Sequence, residues 1–445
     1  MIIRLALYLI CFLTSLSLFL QGGQDFVFIV GVTVVTVLLS AYNMLVMYHG
    51  RLSLSTVLLM YTILTQFGLL LPFAFFGQGT VENYKDWTLA FLTSNYLGQG
   101  ILLGNIAVIS YDVARILYIS QNKKVIEKIR DNLHLSDTDS IAEVSMFLIG
   151  IVLAYFALHI LFGSMRLFGT YDEYMNSSAY NSPLYQYILI TFYAGTLYLS
   201  VAGDVKKRIS GWTLWFIVVV IFAMNGNKGE FLYSLLAVFG LKGVLGQKIS
   251  RNMIIGSLAI LFILIPSITA LRGEGISGNL GQISGSMFGA FSEMGMQLRT
   301  SVYTLEELNN GTFQYLYGQS YWQPVVNLFM PFMEHDIATA RVRMEFPGYG
   351  YNQVAESYLN FGVFGVVFYF SLIGWLLTKY ENRCKTLLGL AFCGTVTCVL
   401  INATRNYFAF VPGQIVIMSI FYFWFNKTVK SRKRHKTTKI GVKPY

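Results

Sequence analysis

Lys228 in MNGNKGEF, Arg272 in ITALRGEG and Arg405 in NATRNYF each stand at the edge of a strongly apolar run. A guanidinium can grip two phosphate oxygens at once, and an ammonium supplies a compact point charge. Arg341 and Arg343, in ATARVRMEF, follow Arg272 in one long polar stretch and are candidates to reach the same place. Cations gathered at the edge of apolar segments suit a phosphate carried on a lipid. Each one singly also suits the ordinary snorkelling of a long basic side chain to headgroups.

Glu356 lies in FPGYGYNQVAESYLNFGVFG, residues 346–365. A carboxylate there could accept a proton from a sugar hydroxyl or hold an arginine in place. Gln353 and Asn360 share its helical face. Asn352 is placed to cap a helix opening at residue 353, and a first-turn acid gains ~0.3–1 kcal/mol from the helix dipole, so a structural role competes. His335, in FMEHDIATA, is flanked by Glu334 and Asp336 and is the second candidate base. Tyr349 and Tyr351, with Tyr171, Tyr174, Tyr180 and Tyr358, offer rings with polar tips. Such rings suit sugar faces and equally suit an interfacial aromatic belt. The other histidines and the four cysteines show no metal-ligand spacing, so no metal, disulfide framework or other cofactor is expected.

The elements that must position these residues are membrane helices. The chain has 445 residues, 55% hydrophobic and only 12% charged, about half the charged fraction of a soluble protein. The formal charge of +10 does not imply nucleic acid, because eight of the 32 Lys and Arg crowd the last nineteen residues. That run, residues 427–445, reads as a basic cytoplasmic tail.

Apolar windows predict twelve spans, near 3–20, 26–47, 55–76, 89–110, 144–163, 184–202, 211–224, 230–246, 253–270, 359–378, 386–403 and 411–426. The fourth is expected to run on past Asp112 and Arg115, which pair on one face as a structural element. With both termini cytoplasmic, 24 of the 32 cations fall inside and eight outside. The positive-inside rule therefore sets this orientation. The chain then reads as one membrane domain over residues 1–445. It has a cytoplasmic loop at 120–142, a small outer loop at 164–183 and a large outer loop at 271–358. Loops of that length generally have internal structure and a function. Gly281, Gly285 and Gly289 would put one small helical face in it.

This pattern resembles the bacterial O-antigen polymerase (Wzy-type) family. The likeness rests on the large outer loop between two late spans, the basic residue where that loop starts, and GYG…AESYLNFGVFG where it re-enters the membrane. FAMNGNKGEFLYSLLAV resembles a hairpin those proteins carry, in which an arginine often stands where this chain has Lys228. The resemblance implies an all-α polytopic membrane protein of the glycosyltransferase GT-C type, in the bacterial inner membrane. It implies undecaprenyl-pyrophosphate-linked oligosaccharide repeat units as substrate, joined on the periplasmic face with the pyrophosphate lipid as leaving group. It also implies a chain-length-regulating membrane protein as partner. On that reading Arg272, Arg405 and Lys228 stabilise the departing pyrophosphate. Glu356 or His335 serves as base, and Arg341, Arg343, Tyr349, Tyr351 and Asn360 line the substrate.

Two alternatives share part of the pattern. A polysaccharide flippase would keep its charges at mid-membrane and its outer loops short. An O-antigen ligase would use the same donor with a different acceptor.

Overall fold

The computed structural model describes residues 2–47, 51–77, 89–131, 138–167, 170–247, 256, 289–330 and 351–439, with backbone alone at 123–131, 138–139, 289–290 and 428–439. Arg272, His335, Arg341, Arg343, Tyr349, the ninth predicted span apart from Gly256, and Gly281 and Gly285 lie outside these residues.

Among the described residues the regular elements are helices. The first half holds α1 (Ile2–Leu20), α2 (Phe26–Met47), α3 (Leu54–Phe67), α4 (Leu70–Phe76), α5 (Leu97–Asp131) and α6 (Thr138–Leu161). Next come α7 (Tyr185–Val201), α8 (Val205–Met224) and α9 (Gly229–Val244). The polar stretch contributes α10 (Gly289–Gly295), α11 (Leu298–Asn309) and α12 (Gln319–Phe329). The chain closes with α13 (Gln353–Arg383), α14 (Leu387–Arg405) and α15 (Val411–Lys439).

Eight of these are long and apolar enough to cross a membrane, and two bent pairs bring the number to ten. The twelve expected spans are thus not all found as single helices. The third is split into α3 and α4, bent by 50°. The sixth, α7, is preceded by a short helical segment at 97° to it. The eighth, α9, has 16 residues, short of a full crossing. The fourth does run on past Arg115, as α5.

Helices α5 and α14 form the centre, with most of their residues buried, while α1, α8 and α15 show mainly exposed apolar faces. Leu20, Phe162, Phe364, Phe423 and Trp424 are among the exposed large apolar side chains. This is the outside-apolar pattern that lipid permits. Glycines let the inner helices approach: a Cβ on Gly374 of α13 would lie 2.6 Å from the Tyr111 carbonyl of α5.

Caps set the helix starts. Ser53, Asp204, Asn352 and Thr386 each accept an N–H from the first turn of the helix that follows. The Asn352 cap is the one expected from the sequence, with Asn352 Oδ1 2.7 Å from the Ala355 nitrogen.

One end of the bundle is held by a buried polar chain. Arg115 pairs with Asp112 at 2.7 Å and donates to Thr56 at 2.7 Å, both partners being fully buried. Tyr8 donates to Asp112, and Glu381 accepts from the Ser55 N–H at 2.9 Å and its hydroxyl at 2.6 Å. The pair expected from its spacing is therefore the middle of a network joining α1, α3, α5 and α13.

Candidate functional site

At the opposite end, the N-termini of α7 and α9 meet the C-terminus of α14. Between them lies a cavity of about 440 Å³, lined by Lys228, Glu230, Tyr171, Tyr180, Tyr185, Asn402, Arg405 and Tyr407, among others. That volume falls within the ~300–1,000 Å³ range of small-molecule sites. Two cations predicted from separate hairpins, Lys228 and Arg405, are thus brought to one wall.

Local structure explains their placement. The turn Asn225–Asn227 closes α8 and opens α9, with Gly226 at φ 69°, a left-handed conformation glycine tolerates. Lys228 is the residue before α9 begins, so its ammonium and the helix N-terminus present positive charge at one place. Arg405 ends α14, where a cation complements the helix C-terminus.

Charge at the site is only partly neutralised. Lys228 is 9% exposed at its side chain and forms an ion pair with Glu293 of α10, which is 21% exposed. Among the described residues Arg405 has neither ion pair nor side-chain hydrogen bond. Tyr61, Tyr233, Glu293 and Tyr171 lie within electrostatic range of its guanidinium. Helix α10 is wedged close enough to carry Glu293 there because Gly295 meets the α3–α4 break. A Cβ on Gly295 would sit 1.9 Å from the Leu69 nitrogen.

The rest of the lining and its support are polar and aromatic. Tyr174 and Tyr185 share a hydrogen bond of 2.6 Å. The Tyr185 hydroxyl donates to Glu230 Oε1 at 3.3 Å and accepts from Asn227 Nδ2 at 3.3 Å. Asn406 donates to Asn402 Oδ1 at 2.9 Å.

Glu356 does not line this cavity. It is fully buried behind the turn that follows Arg405, where Oε2 accepts the Phe408 N–H at 2.8 Å. The Ser320 hydroxyl stands beside the carboxylate, and Oε1 accepts no hydrogen bond among the described residues. Gln353, on the same face, donates to the Ala403 carbonyl at 3.1 Å. Asn360 donates to Ser320 Oγ at 2.7 Å and Tyr351 shares a hydrogen bond of 3.0 Å with Thr304. All three are buried supports of the site rather than part of its lining.

The segment that carries Glu356 is itself a short helix. Helix α13 breaks at Phe361 and Gly362, the latter at φ 62°. The break frees two carbonyls, and the polar stretch takes both: Leu316 N–H donates to Leu359 O at 2.9 Å and Tyr317 N–H to Asn360 O at 3.1 Å. Over the described residues 351–365 the expected simple re-entry is therefore a helix of about two turns, a glycine break, and then the span.

Glu230, Glu293, Tyr185 and Asn227 were not singled out by sequence. Glu230 and Asn227 lie within the hairpin that supplied Lys228, so the signal was present; Glu293 had none.

The chain matches the model of the O-antigen polysaccharide polymerase Wzy family over residues 1–426. The chain belongs to that family, and is a multi-pass membrane protein of polysaccharide repeat-unit polymerisation. Protein CapE of Staphylococcus aureus is 28% identical over 402 residues, covering 87% of this chain and 88% of CapE. No solved structure matches.

Proposed function

We propose that the chain joins lipid-pyrophosphate-linked oligosaccharide repeat units into O-antigen or a related surface polysaccharide. It does so on the outer face of the bacterial inner membrane, with both termini cytoplasmic and a GT-C-like helical scaffold. The observation that carries this reading is the convergence of Lys228 and Arg405 on one cavity. A sugar leaving with its electron pair on a pyrophosphate needs fixed positive charge, and such charge acts most strongly in a site that excludes water. The α9 N-terminus adds its own dipole. The growing chain is the donor, and the non-reducing end of a new repeat unit attacks it.

Tyr171, Tyr180 and Tyr407 offer ring faces for sugars beside the cations. Arg272, Arg341, Arg343, His335 and Tyr349 are further contacts to the lipid-linked substrate from the long polar stretch. Glu356 and Gln353 act from behind, by fixing the turn that bears Arg405, while Asn360 and Tyr351 hold the Glu356 segment against Ser320 and Thr304. A chain-length-regulating membrane protein is the expected partner.

The test is genetic. Deleting the gene should leave surface glycan with single repeat units only, and the native gene should restore the ladder on a gel. Loss of every repeat unit on deletion would point to a flippase or ligase instead.

A further inference from the structure

We propose that Glu230 is the group that takes the proton from the attacking sugar hydroxyl, an assignment that rests on the polymerase reading of the cavity. Glu230 lines the same cavity as Lys228 and Arg405. Its carboxylate is held without being used up. Oε1 accepts from Tyr185 at 3.3 Å, and Tyr185 is itself fixed by Tyr174 at 2.6 Å and Asn227 at 3.3 Å. Oε2 is buried and accepts no hydrogen bond among the described residues, and the Asn227 amide stands beside the carboxylate.

Nor is Glu230 ion-paired, although the Arg405 guanidinium stands within electrostatic range of its carboxylate. Glu293 is the carboxylate paired with Lys228, and among the described residues Glu230 has no ion pair. A buried acceptor left open is a cost to the fold that a hydroxyl donor from a ligand would relieve. The cavity therefore has a cationic side for a leaving phosphate and an oriented carboxylate for a proton.

The step balances as a single displacement. The acceptor hydroxyl oxygen forms a bond to the anomeric carbon of the donor sugar. The bond from that carbon to the pyrophosphate oxygen breaks, and its electron pair leaves on the pyrophosphate beside Lys228 and Arg405. The hydroxyl proton passes to Glu230 and from there to water. Tyr185 is a positioning residue.

The experiment uses the purified full chain in lipid nanodiscs, with lipid-pyrophosphate-linked repeat units from the producing cells and undecaprenyl pyrophosphate as a binding probe. Glu230→Gln should bind the probe like the native protein while turnover falls by about 10²–10⁴. Formate should restore part of the turnover of Glu230→Ala, and Tyr185→Phe should shift the acidic limb of the pH–rate profile. Native turnover in Glu230→Gln would overturn the assignment. So would a loss of turnover matched by loss of probe binding and not rescued by formate. If Glu230→Gln fails to fold, Glu230→Asp decides: unchanged probe binding with reduced turnover supports the assignment, and unchanged turnover overturns it. A native protein that binds the probe but extends no chain, or binds no probe, overturns the polymerase reading itself.

Discussion

Glu356 accepts the Phe408 backbone N–H at 2.8 Å, three residues beyond Arg405, while Gln353 donates to the Ala403 carbonyl at 3.1 Å, two residues before it. The two bonds clasp the turn between α14 and α15 from one helical face. A carboxylate in that place fixes backbone geometry. Glu356→Gln keeps an acceptor for Phe408 and should retain most chain extension. Glu356→Ala leaves the N–H unpaired and should lose about 1–3 kcal/mol of stability. Thermal unfolding in detergent, paired with turnover, checks this. Equal inactivity of the two variants with unchanged stability would instead indicate proton chemistry at Glu356.

The Arg405 fork has no ion-pair or hydrogen-bond partner among the described side chains. Arg405→Ala should cut chain extension by about 10²–10³, the usual effect of removing one charge-stabilising donor. Arg405→Lys keeps the charge but loses the two-point grip and should fall between. Initial rates with purified repeat units separate the three. A fully active Arg405→Ala would remove the guanidinium from the reaction.

Glu293 neutralises Lys228. Glu293→Gln leaves the ammonium uncompensated beside Arg405, so the site should hold the departing pyrophosphate more tightly. The expected signature is a fall in both kcat and KM, with product release slowed. A rise in KM would show that the pair serves only to place Lys228.

The fully buried Arg115–Asp112 pair lies at the far end of the molecule. Arg115→Ala strands Asp112 without its partner and should cost about 3–5 kcal/mol. The loss should appear as low membrane levels. Protein that does accumulate should polymerise normally per molecule, measured against immunoblotted amounts.

The membrane helices were legible because their apolar runs are long and their starts are marked by caps such as Asn352. Lys228 and Arg405 were legible because a charged residue at the edge of such a run is rare. What sequence could not supply was depth and facing. Glu356 has the type and position of a base, yet its face of α13 turns toward the Arg405 turn, a fact set by tertiary packing. The break at Gly362 was hidden because it falls inside one continuous apolar run, and only the carbonyls taken by Leu316 and Tyr317 show why it persists. Glu293 was invisible because its approach depends on Gly295 meeting the α3–α4 break, two segments far apart in the chain.

The most direct measurement is chain extension by the purified protein in nanodiscs, given lipid-pyrophosphate-linked repeat units and no nucleotide sugar. Native protein should produce a ladder of lengthening glycans and release the pyrophosphate lipid. Arg405→Ala, matched for stability, should produce neither ladder nor release at the native rate. A native protein that leaves single repeat units unjoined under these conditions, or an Arg405→Ala protein that joins them as fast as native, would contradict the assignment of the Lys228–Arg405 cavity as the place of polymerisation.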